Sequence, residues 1–282
     1  MEGAGWGAPV WVFAAAAILG LMAGSTLNVV VHRLPRMLES QWQRDAALLR
    51  DEPAPEPDRF NLFVPGSHCP VCHHRLRALE LVPLVSWLAL KARCSACKAP
   101  IALRYPLVEA ACAGLFMLCV ARFGTGPAAG AAMIFCAIVL AAAVIDLETQ
   151  LLPDALTLPL VWAGLLAALA GLAPVSLPQA VAGAAAGYLS LWLIHHAFRL
   201  VAGREGMGYG DFKLFAALGA WLGWAELPMV LLLAAASAAV VTVAAGLARR
   251  RDVRQPIAFG PWLAGAGLIA LFAGPLSPAL LP

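Results

Sequence analysis

Ala128-Ala-Gly-Ala-Ala-Met-Ile-Phe-Cys-Ala-Ile-Val-Leu-Ala-Ala-Ala-Val-Ile145 carries no charge and no proline, and Asp146 follows it immediately. A run of this kind approaches the roughly 20 apolar residues that a helix needs to cross the bilayer core. Seven more stretches share its character: Val10 to Val31, Tyr105 to Val120, Ala155 to Leu172, Leu177 to Phe198, Phe212 to Trp224, Leu227 to Leu247 and Phe259 to Leu276. The chain has 282 residues, 62% hydrophobic and 12% charged, with a mean hydropathy of +0.81, which excludes an ordinary soluble domain. Only helices satisfy their own backbone groups in lipid without closing a barrel. The expected fold is therefore an all-α polytopic membrane protein with about eight transmembrane helices; the sixth stretch is short, so seven is the competing count.

Charge sets the orientation. Eleven Lys and Arg lie between the first and second stretches, from Arg33 to Arg104, and Arg249, Arg250, Arg251 and Arg254 lie between the seventh and eighth. Arg199, Arg204 and Lys213 surround the loop between the fifth and sixth, leaving only Arg122 on the opposite side. The positive-inside rule makes the crowded side cytoplasmic and the amino terminus external. The first span is expected to remain as an anchor, because its basic cluster, His32, Arg33 and Arg36, follows it and no basic region precedes it. The net charge of +3 reads as a topology signal, with no nucleic-acid partner. Three regions result: a first membrane helix over 1–31, a cytoplasmic insert over 32–104 and a membrane-embedded helical bundle over 105–282.

The insert opens with a polar, potentially helical stretch around Glu39 to Arg50, and continues through Pro53, Pro55 and Pro57 as an extended linker. Cys69-Pro-Val-Cys72 and Cys94-Ser-Ala-Cys97 follow, separated by Leu79 to Leu90, an apolar run too short to span. Two C-x2-C pairs at this separation match a four-thiolate zinc site, and a cytoplasmic location disfavours disulfides. Four thiolates close the coordination sphere, so the expected zinc is structural. His68, His73 and His74 stand beside the first pair as substitute ligands or neighbours. Cys112, Cys119 and Cys136 fall within spans and read as buried small hydrophobes.

Acids at the edge of apolar spans are expensive and hence functional candidates. Asp146 closes the third span, beginning Asp146-Leu-Glu-Thr-Gln-Leu-Leu-Pro-Asp154, and Asp211 opens the sixth directly after Gly206-Met-Gly-Tyr-Gly210. The topology sets both at cytoplasmic helix ends. Two carboxylates sharing a partly desolvated site cannot both ionise readily, so an anion can take a proton from attacking water while its neutral partner polarises a peptide carbonyl. That is aspartic-protease chemistry. The glycines, Gly208 and Gly210 among them, give the loop an unhindered backbone before Asp211. A dinucleotide loop would need a strand before the glycines and a βαβ unit around them, whereas membrane helices flank these. Asp154, after Pro153, either interacts with the dipole of the helix it begins or joins the site. Glu148 reads as solvated, and Glu109, near Arg104 and Tyr105, either pairs with an arginine or lines a substrate cavity.

On these residues the sequence resembles the bacterial type IV prepilin peptidases. The matching stretches are Gly24-Ser-Thr-Leu-Asn-Val-Val-Val-His-Arg-Leu-Pro35, the four cysteines, Arg104-Tyr-Pro-Leu-Val-Glu109, Asp146 to Asp154, Gly206 to Lys213 and Phe259-Gly-Pro261. They cover nearly the whole chain in the family's order, with Thr26 where the family often has an aromatic. Gly208-Tyr-Gly-Asp211 is also similar to the signature of presenilin-like proteases. The resemblance implies Asp146 and Asp211 as the catalytic pair. It also implies cleavage of a basic leader from prepilins and pseudopilins at the cytoplasmic face of the bacterial inner membrane. Because the insert and its cysteines are present, it implies methylation of the new amino terminus by S-adenosylmethionine as well. Gly24, Ser25 and Asn28 are expected to allow close helix contact. The rival reading is a transporter whose acids bind a coupling ion and whose zinc-bearing insert is regulatory.

Overall fold

Each of the eight apolar stretches forms a helix, and a short extra helix lies in the insert. A computed structural model of the chain describes residues 8–53, 60–203, 207–247 and 258–274. Within these run α1 Val10–Leu49, α2 Val85–Ala89, α3 Arg104–Phe123, α4 Pro127–Thr149, α5 Asp154–Leu169, α6 Leu177–Ala202, α7 Tyr209–Leu222, α8 Leu227–Leu247 and α9 Gly260–Ala273. Two isolated antiparallel bridges, His68 with Arg75 and Arg93 with Pro100, are the only β pairing among the described residues. Arg59, Arg204, Arg249, Arg250, Arg251 and Arg254, the linker prolines Pro55 and Pro57, the loop glycine Gly206 and the end of the eighth predicted span lie outside the described residues.

The ends of these helices follow local chemistry. Pro127 occupies the first turn of α4, where its missing N–H costs nothing, and Gln150 closes that helix in the left-handed conformation (φ 56°). Ser176 and Gln179 form a capping box at the start of α6, and Gly203 terminates it at φ 65°. The first span does not stop at Val31: helix-favouring residues from Glu39 onward carry α1 to Leu49, for a length of about 60 Å.

Five helices are long and apolar enough to cross a membrane: α1, α3, α4, α6 and the segment Trp224–Ala244 that includes most of α8. Helices α5 and α9 are apolar but shorter. With 14 residues α7 reaches only about 21 Å. Its surroundings explain why that suffices. From Asp211 to Leu222 every residue of α7 except Lys213 is buried, so protein rather than lipid surrounds it.

The chain forms two compact units, one comprising Pro9–Met117 and the other built from Leu118 onward. In the first, α1 and α3 pack with almost no side chain between them. A Cβ on Gly20 would lie 2.6 Å from Ala113 Cα, and one on Gly24 would lie 2.7 Å from Glu109 Cα. Asn28, one turn further, donates its side-chain N–H to the Tyr105 carbonyl at 3.0 Å. The expected close contact through Gly24, Ser25 and Asn28 is thus a seam of small residues with one polar tie. Arg33 is buried, donating to the carbonyls of Asn61 (2.9 Å) and Pro65 (2.6 Å), with Phe60 beneath its guanidinium. Besides its topological charge, it anchors the insert to α1.

In the second unit α7 is enclosed by α5, α6 and α9. Gly183 of α6 and Gly219 of α7 meet backbone to backbone, and a Cβ on Gly187 would lie 2.6 Å from the Phe215 carbonyl oxygen. On the α5 side, Trp221 Nε1–H donates to the Leu160 carbonyl at 2.9 Å, over Gly164. Replacing Gly183 or Gly219 by alanine therefore forces α6 and α7 apart and should cost about 1–3 kcal/mol. A clearly lower unfolding temperature in detergent is the expected result. Gly130→Ala, where the added methyl meets open space, should leave that temperature unchanged or raise it.

Candidate active site and metal centre

Four helix ends meet in the second unit: the carboxyl end of α4 and the amino ends of α5, α7 and α9. Asp146 lies in the last turn of α4 and is buried. Its Oδ2 accepts the Gly260 backbone N–H at 2.9 Å, so the start of α9 grips one oxygen of the carboxylate. A helix amino terminus holds an anion well, because its first N–H groups have no partner within the helix. Asp211 lies in the first turn of α7, also buried, and its carboxylate accepts from the Gly208 backbone N–H. The two carboxylates stand close enough for the charge of Asp146 to act directly on Asp211.

Leu152, from the turn joining α4 to α5, forms a wall shared by both approaches. A Cβ on Gly210 would lie 2.6 Å from Leu152 Cβ; one on Gly260 would lie 2.6 Å from Asp146 Oδ2 and 3.1 Å from Leu152 Cδ1. Gly210 and Gly260 thus serve as spaces into which neighbouring groups fit. Gly208 has an ordinary φ of −77° and its Cβ position is nearly open, so it supplies a bare backbone N–H beside the acid rather than an unusual conformation.

Asp154 begins α5, as its position after Pro153 suggested, and also has a partner that sequence reading missed. Lys213 Nζ donates to both of its oxygens, at 2.6 and 2.7 Å. The pair is half-exposed and contributes little energy, but it ties the first turn of α5 to the second turn of α7. Glu109 belongs to the first unit. It is buried, accepting the Leu84 N–H at 2.8 Å and the Ser25 hydroxyl.

The four cysteines converge within the first unit. Their sulfurs all lie within 4.8 Å of one another, Cys69 and Cys97 at 3.8 Å, Cys72 and Cys94 at 4.0 Å. Zinc–sulfur bonds of about 2.3 Å in a tetrahedron require sulfurs about 3.8 Å apart, so the donor set fits a zinc ion, and these separations are far from a disulfide bond. The two cysteine turns share a backbone design. His73 bonds its N–H to the Cys69 carbonyl and Lys98 its N–H to the Cys94 carbonyl. His73 (φ 57°) and Lys98 (φ 61°) are both left-handed, and Cys69 and Cys94 each donate back to the carbonyl five residues on.

The N–H groups of Cys72 and Val71 point at the Cys69 sulfur and bring its pKa down to about 6. Cys97 behaves oppositely: although the Ala99 N–H favours its thiolate, contact with the Cys72 sulfur, burial and the other two thiols push it up to about 11. His68 is directed to the Gly66 carbonyl and His74 to Glu80, so the metal-ligand group among the described residues is cysteine alone.

The comparisons with known proteins agree with this geometry. Residues 18–123 match the bacterial peptidase A24 N-terminal domain and residues 133–243 the type IV leader peptidase family, which separates the cysteine-bearing unit from the segment with both aspartates. A prepilin leader peptidase/N-methyltransferase of Aeromonas salmonicida (strain A449) is 51% identical over 271 residues, covering 95% of this chain and 93% of that one. One from Pseudomonas putida is 49% identical over 266 residues, covering 94% and 92%. One from Burkholderia pseudomallei (strain K96243) is 50% identical over 262 residues, covering 92% and 84%. No solved structure matches. Paired acids at gripped helix ends, a four-cysteine cluster and relatives that align over nearly their whole length lead to one assignment: the chain belongs to the type IV leader peptidase family.

Proposed function

We propose that the chain removes the basic leader of prepilins and pseudopilins by a two-aspartate mechanism and then N-methylates the exposed residue. The observation that carries the peptidase reading is the pairing of Asp146 with Asp211 where four helix ends meet. One carboxylate draws a proton from water as it attacks the scissile carbonyl; the other, neutral, polarises the carbonyl oxygen and later helps protonate the leaving amine. The Gly260 and Gly208 N–H groups hold the two carboxyls so that reorientation costs little during the reaction. Asp154, through Lys213, steadies the two helix starts beside them without touching substrate.

The surrounding organisation on this reading is a first membrane helix over 1–31, a metal-bearing insert over 32–104 and the peptidase bundle over 105–282, with eight helices in the bilayer region. The amino terminus faces the periplasm of the bacterial inner membrane, and the aspartates face the cytoplasm, as the distribution of Lys and Arg supports. A prepilin, basic leader first and apolar helix after, then presents its scissile bond at the depth of the aspartates. The four cysteines hold one structural zinc.

S-adenosylmethionine supplies the methyl group from its sulfonium when bound. The transporter alternative would place the acids near the bilayer midplane, whereas here they sit in the terminal turns of their helices.

Asp146→Asn and Asp211→Asn should each lower cleavage of a purified prepilin by at least a thousandfold with unfolding temperature preserved; unchanged cleavage by both variants rejects the catalytic pair. Metal analysis of freshly reduced protein should find about one zinc per chain, lost when Cys69 and Cys72 are replaced by serine. Labelled S-adenosylmethionine should transfer its methyl group to the cleaved pilin, as mass spectrometry of the processed amino terminus can confirm. Absence of label beside intact cleavage leaves a peptidase alone.

A further inference from the structure

One ionisable residue in the second unit is used neither by the aspartate pair nor by any tie described above. His195, in the last third of α6, is 2% exposed, and neither of its ring nitrogens has a hydrogen-bond partner among the described residues. Other rings surround it. His196 lies 5.3 Å away at an interplanar angle of 67°, Phe212 5.5 Å away at 66° and Tyr209 5.6 Å away at 50°. Tyr209 and Phe212 are 5.3 Å apart, and between them in the chain lie only Gly210 and Asp211. The imidazole therefore stands directly behind the segment that carries Asp211.

Its polarity is out of proportion to that packing. A buried donor or acceptor without a partner costs about 1–3 kcal/mol, and phenylalanine, a ring of similar shape, would fill the space without the cost. His196, by contrast, has its Nδ1 at 2.9 Å from the Trp192 carbonyl. An ionisable side chain in an apolar helix that faces the protein interior is a functional candidate by default.

We propose that His195 is a positioning residue for Asp211. When prepilin occupies the site, a ring nitrogen takes up a hydrogen bond with the Tyr209–Phe212 segment and holds the Asp211 carboxylate in register with Asp146. The proposal rests on the peptidase reading of Asp211. It touches no reacting atom, so its signature is a loss in turnover that stability does not explain.

The test is steady-state cleavage of a purified prepilin by His195→Phe, His195→Asn and His195→Gln, with the unfolding temperature of each in the same detergent. His195→Phe should keep or raise the unfolding temperature, lower kcat at least tenfold and leave KM within about twofold, and one of the two amides should recover several-fold in kcat. Wild-type kcat in His195→Phe overturns the proposal. So does a kcat loss that follows a fall in unfolding temperature, or a loss that neither amide repairs. Should His195→Phe not fold, His195→Leu is read by the same criteria. Asp211→Asn, run alongside, separates the two ideas: cleavage surviving that substitution removes the aspartate reading, whereas a neutral His195→Phe removes only the positioning role.

Discussion

The backbone contact between Gly183 and Gly219 is the constraint on which the second unit depends. Lipid offers no hydrophobic drive for one apolar helix to join another, so close approach must be favoured by dispersion and by the absence of intervening side chains. Glycines on α6 and α7 permit that approach, and the short α7 becomes an inner helix, buried from Asp211 to Leu222 except at Lys213. Because α7 is enclosed, Asp211 and Phe212 near its start lie inside protein. Asp211 is then buried by neighbouring helices and not by lipid, and the neighbouring helix ends can supply the partners a carboxylate needs.

Those partners are backbone groups. The Gly260 N–H grips Asp146 and the Gly208 N–H grips Asp211, each at the start of a helix where the N–H is otherwise unspent. Glycine is required at Gly260 and Gly210 because Asp146 and Leu152 occupy the volume a Cβ would take. Lys213 bridges to Asp154 and fixes α5 against α7 from the exposed side. The aromatic group of His195, Tyr209 and Phe212 supports the same segment from within.

The first unit solves a different problem. The small insert has little core of its own, and its four cysteine sulfurs, all within 4.8 Å of one another, form a donor set where a metal ion would supply the centre that apolar burial cannot. Two cysteine turns of the same backbone design bring the sulfurs together, and Arg33 binds two insert carbonyls to α1. Glu109 joins the Leu84 N–H to the seam between α1 and α3, so the insert is held at its far end as well.

By itself the sequence determined the helical class, seven of the eight helices to within a few residues at each described end, the four-cysteine cluster and the two acids, because apolar length, C-x2-C spacing and the cost of a charge in an apolar run are local properties. Charge counting also leads to the expectation that Asp146 and Asp211 lie on a common side of the membrane. What only the tertiary structure decided are relations between residues far apart in the chain: the Gly260 N–H 114 residues from Asp146, Lys213 59 residues from Asp154, and the ring of His195 behind Asp211. No periodicity reports such pairs, since each exists only once α7 is enclosed. The continuation of α1 to Leu49 was half-legible, its helix-forming residues being visible while nothing local marked whether the chain would break at Pro35. The short α7 was legible as a length and intelligible only as a packing position, for a helix surrounded by protein need not match the thickness of the bilayer.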